Sequence, residues 1–159
     1  MVEQLALAKA KCVQQRHPGS LILGADTAVV CGNEVFGKPA SREEAAAMLT
    51  ALSGRPHRVL TGVALLRGST ALTAKEETVV FMRSLEQEEI DAYISSGEPM
   101  DKAGAYGIQG RGAVFVERIE GCYFNVVGLP LARLALMLRA LGLPLWKKGG
   151  SFTGQKAED

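Results

Sequence analysis

The spacing of apolar residues along this chain predicts alternating helices and strands. Residues 1–16 carry apolar side chains at helical spacing, which predicts an amphipathic helix. Residues 20–31 form an apolar run of strand length that is rich in branched side chains. The following Gly32-Asn33 pair is a two-residue hairpin signal, so residues 34–36 are predicted to return as a partner strand.

Further along the chain, the same criteria predict more helices and strands. Ser41 with Glu44 has the pattern of a capping box, and so does Ser84 with Gln87, each of which marks the start of a helix. Helices are predicted over 45–52, 86–96 and 130–141, and strands over 57–68, 70–83, 113–121 and 122–127. Because strands and helices are mixed and one pair of strands forms a hairpin, the sequence predicts an α/β fold with a mixed sheet flanked by helices.

The length and composition favour one globular domain. The 159 residues suit a single core, and 47% hydrophobic with 22% charged residues are ordinary values for a globular protein. We expect a single domain over 1–146 and a polar, disordered tail over 147–159. The formal net charge of +1 and the 6% of aromatic residues argue against nucleic acid or a membrane surface as partner.

Cysteine usage and the apolar stretches favour a cytoplasmic protein. Cys12, Cys31 and Cys122 are odd in number, lack CxxC spacing and lie in apolar segments, as expected of reduced, packed thiols. The first residues contain no long apolar run and no cleavage site, and the apolar stretch 129–146 is interrupted by arginines and prolines. We therefore expect neither a signal peptide nor a membrane span.

Two charged residues interrupt the first apolar segments, and each has two interpretations. Asp26 lies inside the apolar strand, where an unpaired carboxylate is costly, so it needs a cation, a hydrogen-bond network or the strand's open end. The alternative is that Asp26 caps a turn after Gly24. Lys9 lies in the apolar stripe of the first helix, four residues after Leu5, either as a functional cation or with a packed stem and a solvated head.

Lys38 is a third candidate cation. With Gly32-Asn33 as the turn, Lys38 lies opposite Thr27, and a slip of one residue would change the face that it shares. In either register Lys38 lies within reach of Asp26. An ordinary lysine at the end of a hairpin would occupy the same position.

Residues 101–112, called the glycine loop below, read DKAGAYGIQGRG. They match neither the G-x-G-x-x-G dinucleotide pattern nor a P-loop, and the alanines, tyrosine and isoleucine between the glycines argue against a plain linker. Gln109 offers both a donor and an acceptor, which suits recognition of the amide-like edge of a base. His17 and His57 have no partners at metal-ligand spacing, so both are interpreted as structural.

The motifs GADTAV, GKP, SGRPHRVLTGVAL, GEPMDKAGAYGIQG and NVVGLPL occur in that order. Together they closely resemble the Maf family of nucleoside triphosphate pyrophosphatases over nearly the whole chain apart from the tail. The form of the glycine loop is similar to that of the subgroup acting on dTTP and UTP. The resemblance implies an elongated mixed sheet flanked by helices, related to the inosine triphosphate pyrophosphatases, and it is compatible with a homodimer.

The same resemblance implies the reaction and its residues. A small-molecule nucleotide, such as dTTP, UTP or a modified pyrimidine nucleotide, would be split between its α and β phosphates with Mg²⁺ or Mn²⁺ as cofactor. Asp26 matches the proposed base that activates water and is the candidate metal ligand, while Lys9 and Lys38 match phosphate-facing lysines. Thr27 and Gln109 match positions linked to base selectivity. The glycine loop would bring backbone amides to the nucleotide, with Asp101, Lys102, Gly104, Tyr106 and Gly107 as binding residues.

The start of the sequence departs from the family pattern. Family members begin with a strand and a loop reading S-x-S-P-R-R, followed by a helix and a downstream glutamate, whereas this sequence begins at the helix that carries Lys9. We therefore expect the domain to lack the family's first strand and helix, and a neighbouring strand edge to be unpaired. Two hypotheses follow: a dTTP/UTP pyrophosphatase, favoured by Asp26, Lys9 and Lys38, and a non-catalytic relative that binds nucleotide or a protein partner.

Overall fold

The apolar strands form one sheet in the computed structural model of the protein, which describes residues 1–146. The expected tail over 147–159 lies outside the described residues. The strands are β1 (Leu21–Cys31), β2 (Glu34–Phe36), β3 (Pro56–Arg67), β4 (Thr70–Met82) and β5 (Val116–Glu120). Their order across the sheet is β2-β1-β3-β4-β5.

All pairings between the described strands are antiparallel, so this part of the sheet is antiparallel rather than mixed. Tight turns join β1 to β2 and β3 to β4, and a tight turn makes an antiparallel pair. The longer connection from β2 through a helix to β3 does link two strands of the same direction. However, β1 lies between these two strands, so they do not become parallel neighbours.

Five helices flank the sheet within the described residues: α1 (Val2–Gln14), α2 (Arg42–Leu52), α3 (Gln87–Ser95), α4 (Tyr123–Val127) and α5 (Leu131–Ala140). The α/β class and the flanking helices predicted from the sequence are therefore confirmed. No helix within residues 1–146 is long and apolar enough to cross a membrane.

Helix α1 lies directly on the backbone of β1 and β3 because glycines face it. A Cβ atom on Gly24 would lie 2.3 Å from the carbonyl oxygen of Ala6, and one on Gly62 would lie 2.3 Å from the carbonyl carbon of Val2. Contacts this short would push the helix off the sheet. The two glycines therefore determine how closely α1, and with it Lys9, approaches β1.

The opposite face of the sheet carries the main core, which α2, α3 and the segment after α3 cover. Leu49 and Leu52 of α2 are fully buried against Val59 and Val80 of the sheet. A smaller cluster, in which Met137 of α5 packs near Val63, covers the far end of this face. The site described below lies where this face meets the edge of β1.

Two local predictions differ from the structure. The run 122–127, predicted as a strand, contains the short helix α4, because a short apolar run does not by itself distinguish a strand from a buried helix. The cap of α3 is Glu86, whose box partner is Glu89, and not Ser84 with Gln87. The predicted cap at Ser41 is confirmed, because the Ser41 hydroxyl accepts a hydrogen bond from the backbone amide of Glu44 at 3.1 Å.

The outer edge of β1 is only partly paired. Within the described residues β2 pairs with positions 29–31, whereas residues 21–28 pair with β3 alone. A strand edge of this kind presents unpaired backbone N–H and C=O groups. Residues 21–28 of β1 therefore have no strand partner on their outer side within the described residues, and the cleft begins near the point where the β2 pairing ends.

Candidate active site

A cleft of about 680 Å³ wraps around β1, and the five consecutive residues 25–29 line it. Because neighbouring side chains of a strand point to opposite faces, the cleft reaches both faces of the sheet. Helix α1, the loop after β2, the glycine loop and the end of α4 complete its walls. Nearly all of the predicted site residues line it: Lys9, Asp26, Thr27, Lys38, Asp101, Lys102, Tyr106, Gly107 and Gln109.

Asp26 and Lys9 form an ion pair in this cleft. The Lys9 ammonium donates to Asp26 Oδ1 at 2.5 Å and lies 3.5 Å from the carbonyl oxygen of Ala25. The Lys9 side chain is 60% exposed and that of Asp26 is 16% exposed. Gly24 lies within β1, so the alternative that Asp26 caps a turn after Gly24 is wrong. Both interpretations of Lys9 are partly right. Its ammonium reaches solvent, and it also forms the ion pair with the Asp26 carboxylate.

The hairpin has the register predicted from its turn. Val30 pairs with Val35 and Cys31 with Glu34 around Gly32-Asn33, and continuing this register places Lys38 opposite Thr27. Lys38 is exposed at the mouth of the cleft, after the end of β2. Asp26 is paired with Lys9 rather than with Lys38.

An ion pair between Asp101 and Lys102, at the start of the glycine loop, lines the cleft. Asp101 accepts from the Lys102 ammonium at 2.7 Å. This hydrogen bond, together with the positive charges of Lys102 and Lys38, holds the pKa of Asp101 below its ordinary value. Cations from two separate segments are therefore gathered on this side of the cleft.

The glycines of the loop serve its own packing, which differs from the expectation that they free amides for a nucleotide. Gly104 is buried and does not line the cleft; its φ is 70° and its amide donates to the Gly37 carbonyl at 3.0 Å. The amide of Gly107 donates to the Tyr93 hydroxyl at 3.1 Å. Gly104 packs against Val29, where an added Cβ would lie 2.9 Å from a side-chain methyl. These two amides are therefore engaged within the protein.

Glu98 holds the C-terminal end of the glycine loop through hydrogen bonds. The sequence did not indicate this role. The Glu98 carboxylate accepts from the Tyr93 hydroxyl at 2.9 Å and from the amides of Arg111 and Gly112 at 2.9 and 3.2 Å. Partial burial favours the neutral acid, but these hydrogen bonds outweigh it and hold the pKa of Glu98 below its ordinary value. A Cβ on Gly110 would lie 2.3 Å from this carboxylate, so a side chain at position 110 would displace Glu98 from its hydrogen bonds.

A buried histidine supports the loop from below. His57 Nε2 lies 2.8 Å from the Tyr106 hydroxyl, and the two rings meet edge to face. Burial lowers the pKa of His57 to about 4, so the ring is neutral at neutral pH. Its interpretation as a structural histidine fits this position. The available signal was a polar residue at an inward position of the alternating strand β3.

Thr27 is the partly exposed end of a chain of polar groups that runs into the core. Its hydroxyl lies 2.9 Å from that of Thr61, which donates to the backbone carbonyl of Asn125 at 2.9 Å. The Asn125 amide nitrogen donates to the carbonyl of Val59 and to the Thr78 hydroxyl, both at 2.9 Å. Thr61 and Asn125 are fully buried. Their signal in the sequence was a polar side chain within an apolar segment, which does not reveal the partner.

The carboxylates suit one mode of metal binding. No group of three or more His, Cys, Asp or Glu side chains that could hold a metal occurs within residues 1–146. Asp26 and Asp101 are the acidic residues that line the cleft in this part of the chain. Magnesium commonly binds one or two carboxylates together with water and substrate phosphates. The cleft fits that mode and does not fit a cage built of protein ligands alone.

Comparison with known proteins gives consistent results. Residues 1–141 match the family described as Maf-like protein. A dTTP/UTP pyrophosphatase of Symbiobacterium thermophilum is 58% identical over 149 residues, which cover 94% of this chain and 77% of the relative. Enzymes of the same name are similar at 57% identity in Geobacillus, covering 89% of this chain and 76% of the relative, and at 53% in Moorella thermoacetica, covering 91% and 76%.

Proposed function

Since this chain belongs to the Maf-like protein family, we propose that it is a nucleoside triphosphate pyrophosphatase acting on dTTP and UTP. The products would be a nucleoside monophosphate and pyrophosphate. The observation that carries this proposal is the common cleft, in which a carboxylate of low exposure, two lysines and a polar base-reading candidate come together from distant segments. High identity to relatives of that name supports the same substrates.

Asp26 is the proposed general base. Its carboxylate would accept a proton from a water molecule while the water oxygen forms a bond to the α-phosphorus. The bond between the α-phosphorus and the bridging oxygen would break, and that oxygen would leave with pyrophosphate. A positioned base of this kind typically accelerates a reaction by about 10²–10⁴-fold.

The lysines are proposed to neutralise the triphosphate. Phosphoryl transfer depends mainly on positioning and on cations around the phosphate oxygens. Lys9 holds Asp26 at 2.5 Å and is largely exposed, so a phosphate oxygen could take part of that contact when substrate binds. Lys38 and Lys102 lie on the other side of the cleft, with Lys102 paired to Asp101.

A divalent cation is proposed as cofactor, with Asp26 as its protein ligand and the substrate phosphates completing the site. When bound, such an ion supplies positive charge to the phosphate oxygens and lowers the pKa of coordinated water. Asp26 lines the cleft with a side chain that is only 16% exposed, so little bulk water surrounds the carboxylate.

Thr27 and Gln109 are proposed to contact the base. Both line the cleft, and Gln109 lies in an exposed position of the glycine loop. The loop is held by Glu98 and by His57 through Tyr106, which keeps Gln109 near one place. A pyrimidine preference follows from a donor and an acceptor placed for the smaller ring, because an unpaired polar contact with a purine would be unfavourable.

The direct test is pyrophosphate release from dTTP and UTP in the presence of Mg²⁺, with ATP and GTP as controls. We expect turnover of the pyrimidine nucleotides and its loss when a chelator removes the metal. Binding of dTTP by calorimetry without any pyrophosphate release would reject the enzyme and support the non-catalytic alternative.

We also propose a cytoplasmic location. The three cysteines are free thiols in the structure, which suits a reducing compartment, although only Cys31 is buried as a packed thiol would be. A small-molecule nucleotide is then the natural partner. Fractionation of cells that express the tagged protein would test this location.

A further inference from the structure

The hydroxyl of Thr61 has a single proton, and the structure shows where it goes. Thr61 Oγ1 lies 2.9 Å from the backbone carbonyl oxygen of Asn125 and 2.9 Å from Thr27 Oγ1. A carbonyl oxygen can only accept. If Thr61 gave its proton to Thr27 instead, two oxygens without a hydrogen between them would face each other at 2.9 Å in a fully buried place.

The direction of the next hydrogen bond follows. Because the Thr61 proton is used on Asn125, the contact between Thr27 and Thr61 can be a hydrogen bond only if Thr27 is the donor. The single proton of Thr27 is then turned into the protein. Toward the cleft, Thr27 keeps only lone pairs, so it can accept a hydrogen bond from a ligand but cannot donate one.

The surroundings of Thr27 suit a base rather than a phosphate. Val29 and Val59 line the cleft and share the sheet face of Thr27, as the pairing of Thr27 with Thr61 and of Val29 with Val59 requires. A Cβ on Gly128 would lie 3.5 Å from the Thr27 oxygen, so backbone without a side chain adjoins it. The wall beside this acceptor is therefore largely apolar.

Gln109 by itself cannot distinguish uracil from cytosine. Its side chain is exposed, and none of the side-chain hydrogen bonds found within residues 1–146 involves it. A free carboxamide can rotate by about 180° and exchange its donor for its acceptor. It can thus match the uracil edge, with its N3–H donor, or the cytosine edge, where N3 is an acceptor. Discrimination needs a group of fixed polarity.

We infer that Thr61 is a positioning residue that makes Thr27 an obligate acceptor for the N3–H of a uracil or thymine base, and so disfavours cytosine. The inference rests on the proposed function, which supplies the nucleotide in the cleft. Gln109 would donate to a carbonyl oxygen of the same base, while Thr27 accepts from its N3–H. A cytosine N3 in this position would face the lone pairs of Thr27.

The test is the ratio of kcat/KM for UTP to kcat/KM for CTP. Thr61→Val keeps the side-chain shape but removes the hydroxyl, so Thr27 becomes free to rotate and donate. We expect the ratio to fall by about three- to tenfold, the value of one neutral hydrogen bond. Thr61→Ser keeps the hydroxyl and should keep the ratio, which a merely structural role of the methyl group would not predict.

A double-mutant cycle identifies the route. If Thr61 acts through Thr27, then Thr61→Val should leave the ratio unchanged in a Thr27→Val background. A folded Thr61→Val variant with the wild-type ratio would overturn the inference, and so would an equal fall in both backgrounds. If Thr61→Val does not fold, the comparison of Thr27→Val with Thr27→Ser decides. The same UTP-to-CTP ratio in these two variants would also overturn the inference.

Failure of the proposed function would look different. A wild-type protein that releases no pyrophosphate from either nucleotide overturns the function, and the inference with it. A wild-type protein that turns over UTP, with a ratio that is indifferent to these substitutions, overturns the inference alone.

Discussion

Replacement of Asp26 by asparagine separates a catalytic carboxylate from a structural one. Asp26→Asn keeps the size of the side chain and an oxygen that can still accept from Lys9, but it removes the charge and the basicity. If Asp26 is the general base, pyrophosphate release from dTTP should fall by about 10²–10⁴-fold.

The expected effect on stability is small and follows from the exposure of the ion pair. Lys9 is 60% exposed, so solvent screens its attraction to Asp26 despite the 2.5 Å separation. An ion pair of this kind contributes about 0–1 kcal/mol, and the asparagine oxygen retains part of the contact. For a chain of this size, a loss of 1 kcal/mol lowers Tm by about 2–4 °C.

The assay measures both quantities on the same samples, with thermal unfolding followed by circular dichroism. Asp91→Asn is the matched control, because Asp91 is an exposed aspartate of α3 whose side-chain partner is Gln87, outside the cleft. A variant Asp26→Asn that is strongly destabilised, yet keeps near-normal specific activity in its folded fraction, would remove Asp26 from the mechanism.

Three further predictions concern the walls of the cleft. Gln109→Ala should reduce kcat/KM for dTTP by about 5–150-fold, equivalent to about 1–3 kcal/mol, while the Tm stays level because the side chain is exposed. Unchanged selectivity against ATP and GTP would contradict the base-reading role. Glu98→Ala removes the acceptor of two loop amides and of the Tyr93 hydroxyl, so urea unfolding should show a loss of about 2–3 kcal/mol. The same variant should raise KM more than it lowers kcat, and an unchanged KM would show that the loop keeps its shape without Glu98. The pKa of His57 is lowered to about 4, so between pH 6.5 and 4 its ring is protonated in the unfolded chain but not in the folded protein. The free energy of unfolding therefore falls as the pH falls through this window. In urea titrations, the free energy of unfolding should fall by about 2–3 kcal/mol more in the wild type than in His57→Gln between pH 6.5 and 4. If the two proteins lose stability in parallel with pH, the ring of His57 is not buried in its neutral form.

The sequence by itself determined most of the secondary structure and singled out residues that the fold brings to one cleft. Apolar spacing predicted α1, β1 and the long hairpin of β3 and β4, because these patterns reflect short-range geometry. The Gly32-Asn33 turn favoured the observed hairpin register, and the structure excluded the alternative that is shifted by one residue. Asp26 could be singled out because a carboxylate within an apolar strand is costly without a partner.

Other features depended on contacts between distant segments. The run 122–127 contains the helix α4, in which the side chain of Asn125 donates to β3 and β4, and local propensity does not encode such long-range contacts. The sheet is antiparallel within the described residues because β1 separates β2 from β3, and strand order is a property of the whole fold.

The partners of the site residues were likewise decided by tertiary structure. Which lysine pairs with Asp26 depended on the close approach of α1 to β1 that Gly24 and Gly62 permit. The glycine loop reads in the sequence as a ligand cradle, yet Glu98 and Gly37 occupy several of its amides. A hydrogen bond needs both its atoms within about 3 Å, and only the folded chain brings together groups so far apart in sequence.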